Sequence, residues 1–232
     1  MTDAMTARAI KKILLAGAAA LAVFWGCSPN AAEREVQKAF REWEGPYVLY
    51  ADKRAFTLSV YDRRLTLVAR YRVAYGLNPD RGTKLYAGDN RTPEGMYRIT
   101  EILSMDAQKD TPSYRKMRAI NRVYFRARDG HSKFGRPDVD LGDNVYGPRY
   151  YALDFPRQRD LERYGKALER GEIPLRRGEP LPLGGGIAIH GNCDEASIGH
   201  PASSGCLRMY NNDIIELEKY IQIGTPVIIS TW

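Results

Sequence analysis

A mainly β chain with a few helices is what this 232-residue sequence predicts. Three observations carry that expectation. Period-two alternation runs through Phe56, Leu58 and Val60, and again from Leu65 to Tyr75. Turn-forming clusters interrupt it at short intervals: Asp62-Arg63-Arg64, Gly76-Leu77-Asn78-Pro79, Asp80-Arg81-Gly82, and Gly88 to Gly95. Two short apolar runs near the C-terminus, Ile187-Ala188-Ile189 and Val227-Ile228-Ile229, have the length of buried strands.

Composition sets the outer limits. Hydrophobic content of 44% and charged content of 27% are those of a globular chain, which excludes global disorder. The net charge of +7 suits an acidic partner such as nucleic acid, an anionic membrane surface or an anionic wall polymer. The N-terminus chooses among these. Arg8, Lys11 and Lys12 precede an apolar stretch from Ile13 to Trp25, too short to span a bilayer, in the manner of a secretory signal over residues 1–26. It ends in Phe24-Trp25-Gly26-Cys27-Ser28, which resembles a lipobox with Cys27 as the lipidated residue. Export argues against nucleic acid. It predicts a periplasmic protein held at a membrane by a lipid, with Ser28 favouring the outer membrane. Ordinary cleavage or an uncleaved anchor remain as alternatives.

The elements follow in order. Residues 27–46 read as a tether and a short helix, with Val36, Ala39, Phe40 and Trp43 on one face. From Tyr47 the period changes to two, giving a hairpin or meander and then a strand from Met96 to about Ile102. Residues 103–183 differ: rich in Arg, Tyr and Pro, weakly periodic, with 17 Lys/Arg against 12 Asp/Glu. They read as an elaboration bordering the core, with one surface helix from Gln158 to Arg170. Gly184-Gly185-Gly186 reads as a hinge into the next strand, since no phosphate-loop context surrounds it. Asn211 or Asn212 can cap a helix to Ile221, and Gly224 and Pro226 separate it from the last strand.

The stretch from Ile187 to Tyr210 carries the chemistry. His190 ends an apolar run, and Cys206 follows sixteen positions later, each beside a glycine. A thiol needs a neighbouring base or cation to become a thiolate nucleophile, and His190 is the nearest candidate. The amides around Ser204, Gly205 and Cys206 are candidates for an oxyanion hole. A Cys193–Cys206 disulfide in a non-catalytic wall-binding protein is the competing account of both cysteines, because exported proteins keep disulfides.

The order His190-Gly191-Asn192, Ser197-Ile198-Gly199, Pro201, Ser203 and Gly205-Cys206-Leu207-Arg208-Met209 resembles the catalytic signature of the YkuD-type L,D-transpeptidase family. Val73-Ala74-Tyr75-Gly76 and Thr92-Pro93-Glu94-Gly95-Met96-Tyr97 resemble that family's upstream motifs, so the likeness covers about 47–102 and 184–232. The resemblance implies a β-sandwich-like catalytic domain over 47–232, without metal or cofactor. It implies Cys206 as nucleophile, His190 as its base, Gly205 beside the oxyanion hole and Ser203 in support. Arg208, Gly191 and Asn192 then fall near substrate, with a structural salt bridge as the alternative account of Arg208. It further implies peptidoglycan stem tetrapeptides as substrate, and as acyl acceptor a second stem, an envelope lipoprotein or water. Ser204 departs from the pattern, which commonly has a second histidine there; His200 is the nearest substitute in sequence, and His131 has no motif around it.

Overall fold

A computed structural model describes residues 30–78, 82–123 and 132–230. Cys27, the signal segment and His131 therefore lie outside the described residues. The chain begins with α1 (Ala31–Phe40), then β1 (Tyr47–Asp52), β2 (Thr57–Asp62), β3 (Leu67–Gly76) and β4 (Gly95–Ser104). Next come α2 (Pro112–Val123), β5 (Ser132–Lys133), β6 (Arg136–Asp140), β7 (Arg149–Leu153), α3 (Gln158–Glu169), β8 (Leu175–Arg176) and β9 (Glu179–Pro180). The last part holds β10 (Ala188–His190), β11 (Pro201–Ser203), β12 (Leu207–Met209), α4 (Asn211–Leu217) and β13 (Pro226–Ile229).

The main sheet runs β11-β3-β12-β10-β7-β4-β13-β1-β2, and β2 also pairs with β3. That pairing closes the ring, so the two facing layers expected from sequence are parts of one continuous, barrel-like sheet. Closure is possible because β3 is ten residues long. It pairs with β2 up to Arg72, with β12 at Val73 and Ala74, and with β11 from Tyr75. The interior is filled by alternate residues, among them Leu49, Leu58, Val73, Tyr97, Ile99, Tyr151, Ile189, Leu207, Met209 and Val227. α1 is started by a capping box in which Asn30 and Glu33 bond reciprocally. It buries Val36 and Ala39 against Val48, Tyr61 and Ile228 on the outside of the barrel. The helix ends at Phe40, so Trp43 packs from the following turn, where its indole donates to the Tyr47 carbonyl at 3.0 Å.

Two sequence expectations need correction. The segment 103–183 is not wholly an elaboration: β7 lies inside the main sheet, between β4 and β10. Its local pattern does not mark a core strand, because its five residues, Arg-Tyr-Tyr-Ala-Leu, hold a buried arginine and face the barrel interior with Tyr151 and Leu153 only. The same segment contains α2, which the sequence reading did not anticipate. Neither Asn211 nor Asn212 caps the C-terminal helix; Tyr210 holds that position, and Asn211 turns its amide toward residue 192 instead.

Candidate active site

β10 and β12 run parallel and adjacent, in a register that sets Ile189 beside Leu207 and His190 beside Arg208. Paired residues emerge on the same face of a sheet, as do residues two apart in one strand. Ile189 and Leu207 therefore enter the core, whereas His190, Arg208 and Cys206 share the opposite face. Register extends this row: Tyr150 on β7 stands beside His190, and Leu103 on β4 beside Tyr150. These side chains, with Lys84, Ile120, Tyr146, Gly186, Ser203 and Ser204, enclose a cleft of about 390 Å³.

Cys206 sits on a tight turn between β11 and β12. The Ser203 hydroxyl accepts from the Gly205 amide at 3.1 Å and donates to the Cys206 carbonyl at 2.6 Å, which pins the turn. Gly205 has φ +138°, and a Cβ there would stand 2.8 Å from the Arg91 carbonyl oxygen. Its close approach is thus to the chain's own backbone. Because the Gly205 amide is spent on Ser203, it is no longer available to an oxyanion; Ser204 and Cys206 supply the remaining amides of that trio.

The thiol donates to the Gly186 carbonyl at 3.5 Å. Gly186 itself needs φ +72°, so the triple glycine shapes the wall opposite the thiol. Burial pushes the Cys206 thiol above its ordinary value, while the Ala188 amide and the charges of Arg208 and Lys84 pull it back down. His190 is 3% exposed. Its Nδ1 lies 2.5 Å from the Gly191 carbonyl oxygen, which can only accept, so Nδ1 carries the proton and Nε2 is the basic atom of the neutral ring. Burial first, and then the Arg208 charge, lower the pKa of His190 to about 3. Both shifts favour the neutral thiol and the neutral imidazole. Tyr146 packs edge-on to the ring at 4.8 Å and Tyr150 stacks at 6.1 Å between centroids.

Arg208 is buried, and burial lowers its own pKa. Its Nη1 donates to the Ala202 carbonyl at 3.0 Å, while Nε finds no partner. Among the described residues no carboxylate lies within ion-pair distance of it, which removes the salt-bridge account. Lys84 is the second cation at the cleft, buried and held by Asp89 at 2.8 Å and the Tyr86 carbonyl at 3.1 Å.

Other sequence candidates fall elsewhere. Gly191 and Asn192 do not line the cleft. Asn192 is consumed inside the 192–197 loop, donating to the Asp194 carbonyl and the Ser197 hydroxyl, both at 2.7 Å, and accepting from the Asp194 amide. Gly191 orients the histidine through its carbonyl. Cys193 and Cys206 are both free, and the Cys193 thiol faces the Leu141 carbonyl, so the disulfide account fails. His200 stacks on Phe134 at 4.6 Å and leaves the cleft to Ser204. Lys84, Tyr146 and Tyr150 belong to the site but no motif marked them. The abundance of tyrosine in 103–183 was the sole signal for Tyr146 and Tyr150, and Lys84 had none. Among the described residues no three His, Cys, Asp or Glu side chains gather as a metal site.

Comparison with known proteins agrees on the domain. Residues 46–229 match the model of the L,D-transpeptidase catalytic domain family, YkuD. A putative L,D-transpeptidase YqjB from Bacillus subtilis is 27% identical over 142 residues, covering 61% of this chain and 53% of the relative. A putative L,D-transpeptidase YkuD from Bacillus licheniformis is 45% identical, covering 33% of this chain and 57% of the relative. The chain thus spans about half the length of these curated relatives. Among solved structures, the helical cell shape determining protein Pgp2 from Campylobacter jejuni aligns with TM-score 0.47 and 20% identity, over 80% of this chain and 48% of that one. Bdellovibrio bacteriovorus Bd1075 aligns with TM-score 0.45 and 22% identity, over 80% and 48%. With the family's model spanning the whole closed sheet and the cleft it frames, this chain belongs to the L,D-transpeptidase catalytic domain family.

Proposed function

We propose that the domain is a cysteine acyl-transferase acting on peptidoglycan stem tetrapeptides. The observation that carries this is the register of β10 and β12, which sets Cys206, His190 and Arg208 on one face opening into one cleft. His190 Nε2 takes the thiol proton as Sγ attacks the carbonyl of the third stem residue. Arg208 and Lys84 favour the negative charge that develops on sulfur, and the Ser204 and Cys206 amides receive the oxyanion. The tetrahedral adduct collapses by breaking the bond to D-alanine, whose nitrogen takes the proton from His190. An amine then attacks the thioester, its proton passing to His190 and onward to the leaving thiol.

The starting pair is neutral, so His190 acts as a true general base and does not wait for a preformed thiolate. Water in place of the amine makes the same site a hydrolase that trims stems or detaches a wall-linked lipoprotein. The exposure of Ser204 at the cleft, where the family pattern commonly has histidine, keeps that second reading alive. A periplasmic location, with Cys27 as a lipid anchor favouring the outer membrane, completes the proposal. Incubation with disaccharide tetrapeptide tests it: D-alanine with cross-linked dimer means transfer, and D-alanine without dimer means hydrolysis. No thioester on Cys206 and unchanged turnover in Cys206→Ala would sink both. Loss of membrane association in Cys27→Ser tests the anchor.

A further inference from the structure

Across the cleft from the thiol stands an ion pair that the acyl-transfer chemistry leaves unused. Lys116 Nζ, from α2, lies 2.7 Å from both Glu101 Oε1 and Oε2, on β4. Both side chains line the cleft. Both are reachable, 57% and 34% exposed.

Glu101 faces the cleft because of a backbone irregularity. Tyr97 and Ile99 point into the core, and strict alternation would send residues 101 and 103 there as well. Pairing with β7 instead jumps from Ile99–Leu153 to Glu101–Ala152. Thr100 is the extra residue, and this bulge turns Ile102 toward the core and Glu101 and Leu103 toward the cleft. Register also gives the separation. Glu101 stands beside Ala152, Ala152 beside Ala188, and Ala188 one position before the Ile189–Leu207 pair, level with Cys206. Three strand spacings make about 14 Å between the backbones of Cys206 and Glu101. Alanine at both intervening positions keeps the row low.

We propose that Glu101 and Lys116 bind the zwitterionic end of the donor's third side chain, an ammonium and a carboxylate on one carbon. This rests on the acyl-transfer reading. Such a side chain spans about 6 Å from its backbone carbonyl to its terminal carbon. The Cys206 side chain at one end and the long Glu101 and Lys116 side chains at the other close the remaining distance. Lys116 pairs with the ligand carboxylate and Glu101 with the ligand ammonium. The donor is the source, and not the acceptor: an acceptor attacks through the amine of that same carbon, which places its carboxylate at the thioester, far from Lys116.

The test is single-turnover acylation of the full-length protein, followed by mass spectrometry. Three tetrapeptides differ at position three: meso-diaminopimelate, its side-chain amide, and lysine. Wild type should acylate with the first at least tenfold faster than with the other two. In Lys116→Gln that ratio should fall to within twofold of one, and Glu101→Gln should lower it as well. Equal rates in wild type, or an unchanged ratio in both variants, overturns the assignment. A second measurement separates it from the acyl-transfer reading. The meso-diaminopimelate tripeptide is titrated into Cys206→Ala with and without Lys116→Gln. Binding weakened at least fivefold by Lys116→Gln, with no thioester from any stem in wild type, keeps the binding site and rejects the chemistry. Thioester formation with no dependence on Lys116 in rate or binding does the reverse, and neither thioester nor binding rejects both.

Discussion

The wall of the cleft formed by residues 186–208 differs from the wall formed by residues 101–152 in sequence span, burial and bonding. The first packs thiol, imidazole and guanidinium into a short loop-and-strand unit, where His190 and Arg208 are almost wholly buried. The second gathers Glu101, Lys116, Tyr146 and Tyr150 from two strands, a helix and a loop, and leaves its charges open to solvent. Burial suits the chemistry, because a low dielectric makes Arg208 act strongly on Cys206 and His190. Exposure suits recognition, because a charge pair shared with water exchanges partners at small cost. The two walls meet at His190, which the first supplies and the aromatic rings of the second enclose.

Substitutions can break this division of labour, and the largest effect belongs to the first wall. Cys206→Ala removes the proposed nucleophile and should lower D-alanine release by roughly 10⁴-fold or more. His190→Gln should cost about 10²–10⁴-fold in the acylation rate, the usual contribution of a general base. Since His190 is neutral down to about pH 3, the wild-type acylation rate should show no acid limb near pH 6.5. A limb at that pH would mean that the ring titrates normally and that a preformed ion pair does the work.

The same shift links to stability. The unfolded chain takes up a proton on this histidine below about pH 6.5, and the folded chain only near pH 3. Stability is therefore fully present above pH 6.5 and is lost between 6.5 and 3, by up to ~1.4 kcal/mol per pH unit from this group. Urea unfolding at several pH values should give a flatter dependence in His190→Gln.

The junction between the walls gives a smaller effect. Asn121 on α2 is buried, accepts from the Tyr146 amide at 2.9 Å and donates to the Gly147 carbonyl at 3.1 Å. Asn121→Ala should destabilise by about 1–3 kcal/mol. It should also slow acylation by loosening Tyr146 from the imidazole, with Cys206 alkylation retained. Loss of stability with an unchanged acylation rate would mean that the second wall does not position His190. The finest test concerns Arg208→Met, which keeps the apolar stem but removes the charge. The pH profile of Cys206 alkylation by iodoacetamide should move to higher pH, since Arg208 opposes the upward push of burial. An unmoved profile would assign the opposing charge to Lys84.

By itself the sequence determined the β-rich class, α1, the β2–β3 hairpin, α3 and the last strand, because each rests on local period, cap or turn chemistry. It also singled out Cys206 and His190 as candidates, and the parallel register of two short strands, with Ile189 beside Leu207 and His190 beside Arg208, brings both to one cleft. Only the tertiary structure decided the rest. β7 became a core strand through partners 45–54 residues before it and 36–40 residues after it, which no local period reveals. Asn192 moved out of the site because its amide meets the loop's own backbone. Tyr150 entered it because sheet register sets it beside His190, and Lys84 and Tyr146 entered it from loops at the rim of the cleft. Glu101 faces the cleft through a single extra residue in β4, and a bulge of that kind exists only once the strand has a partner to be out of step with.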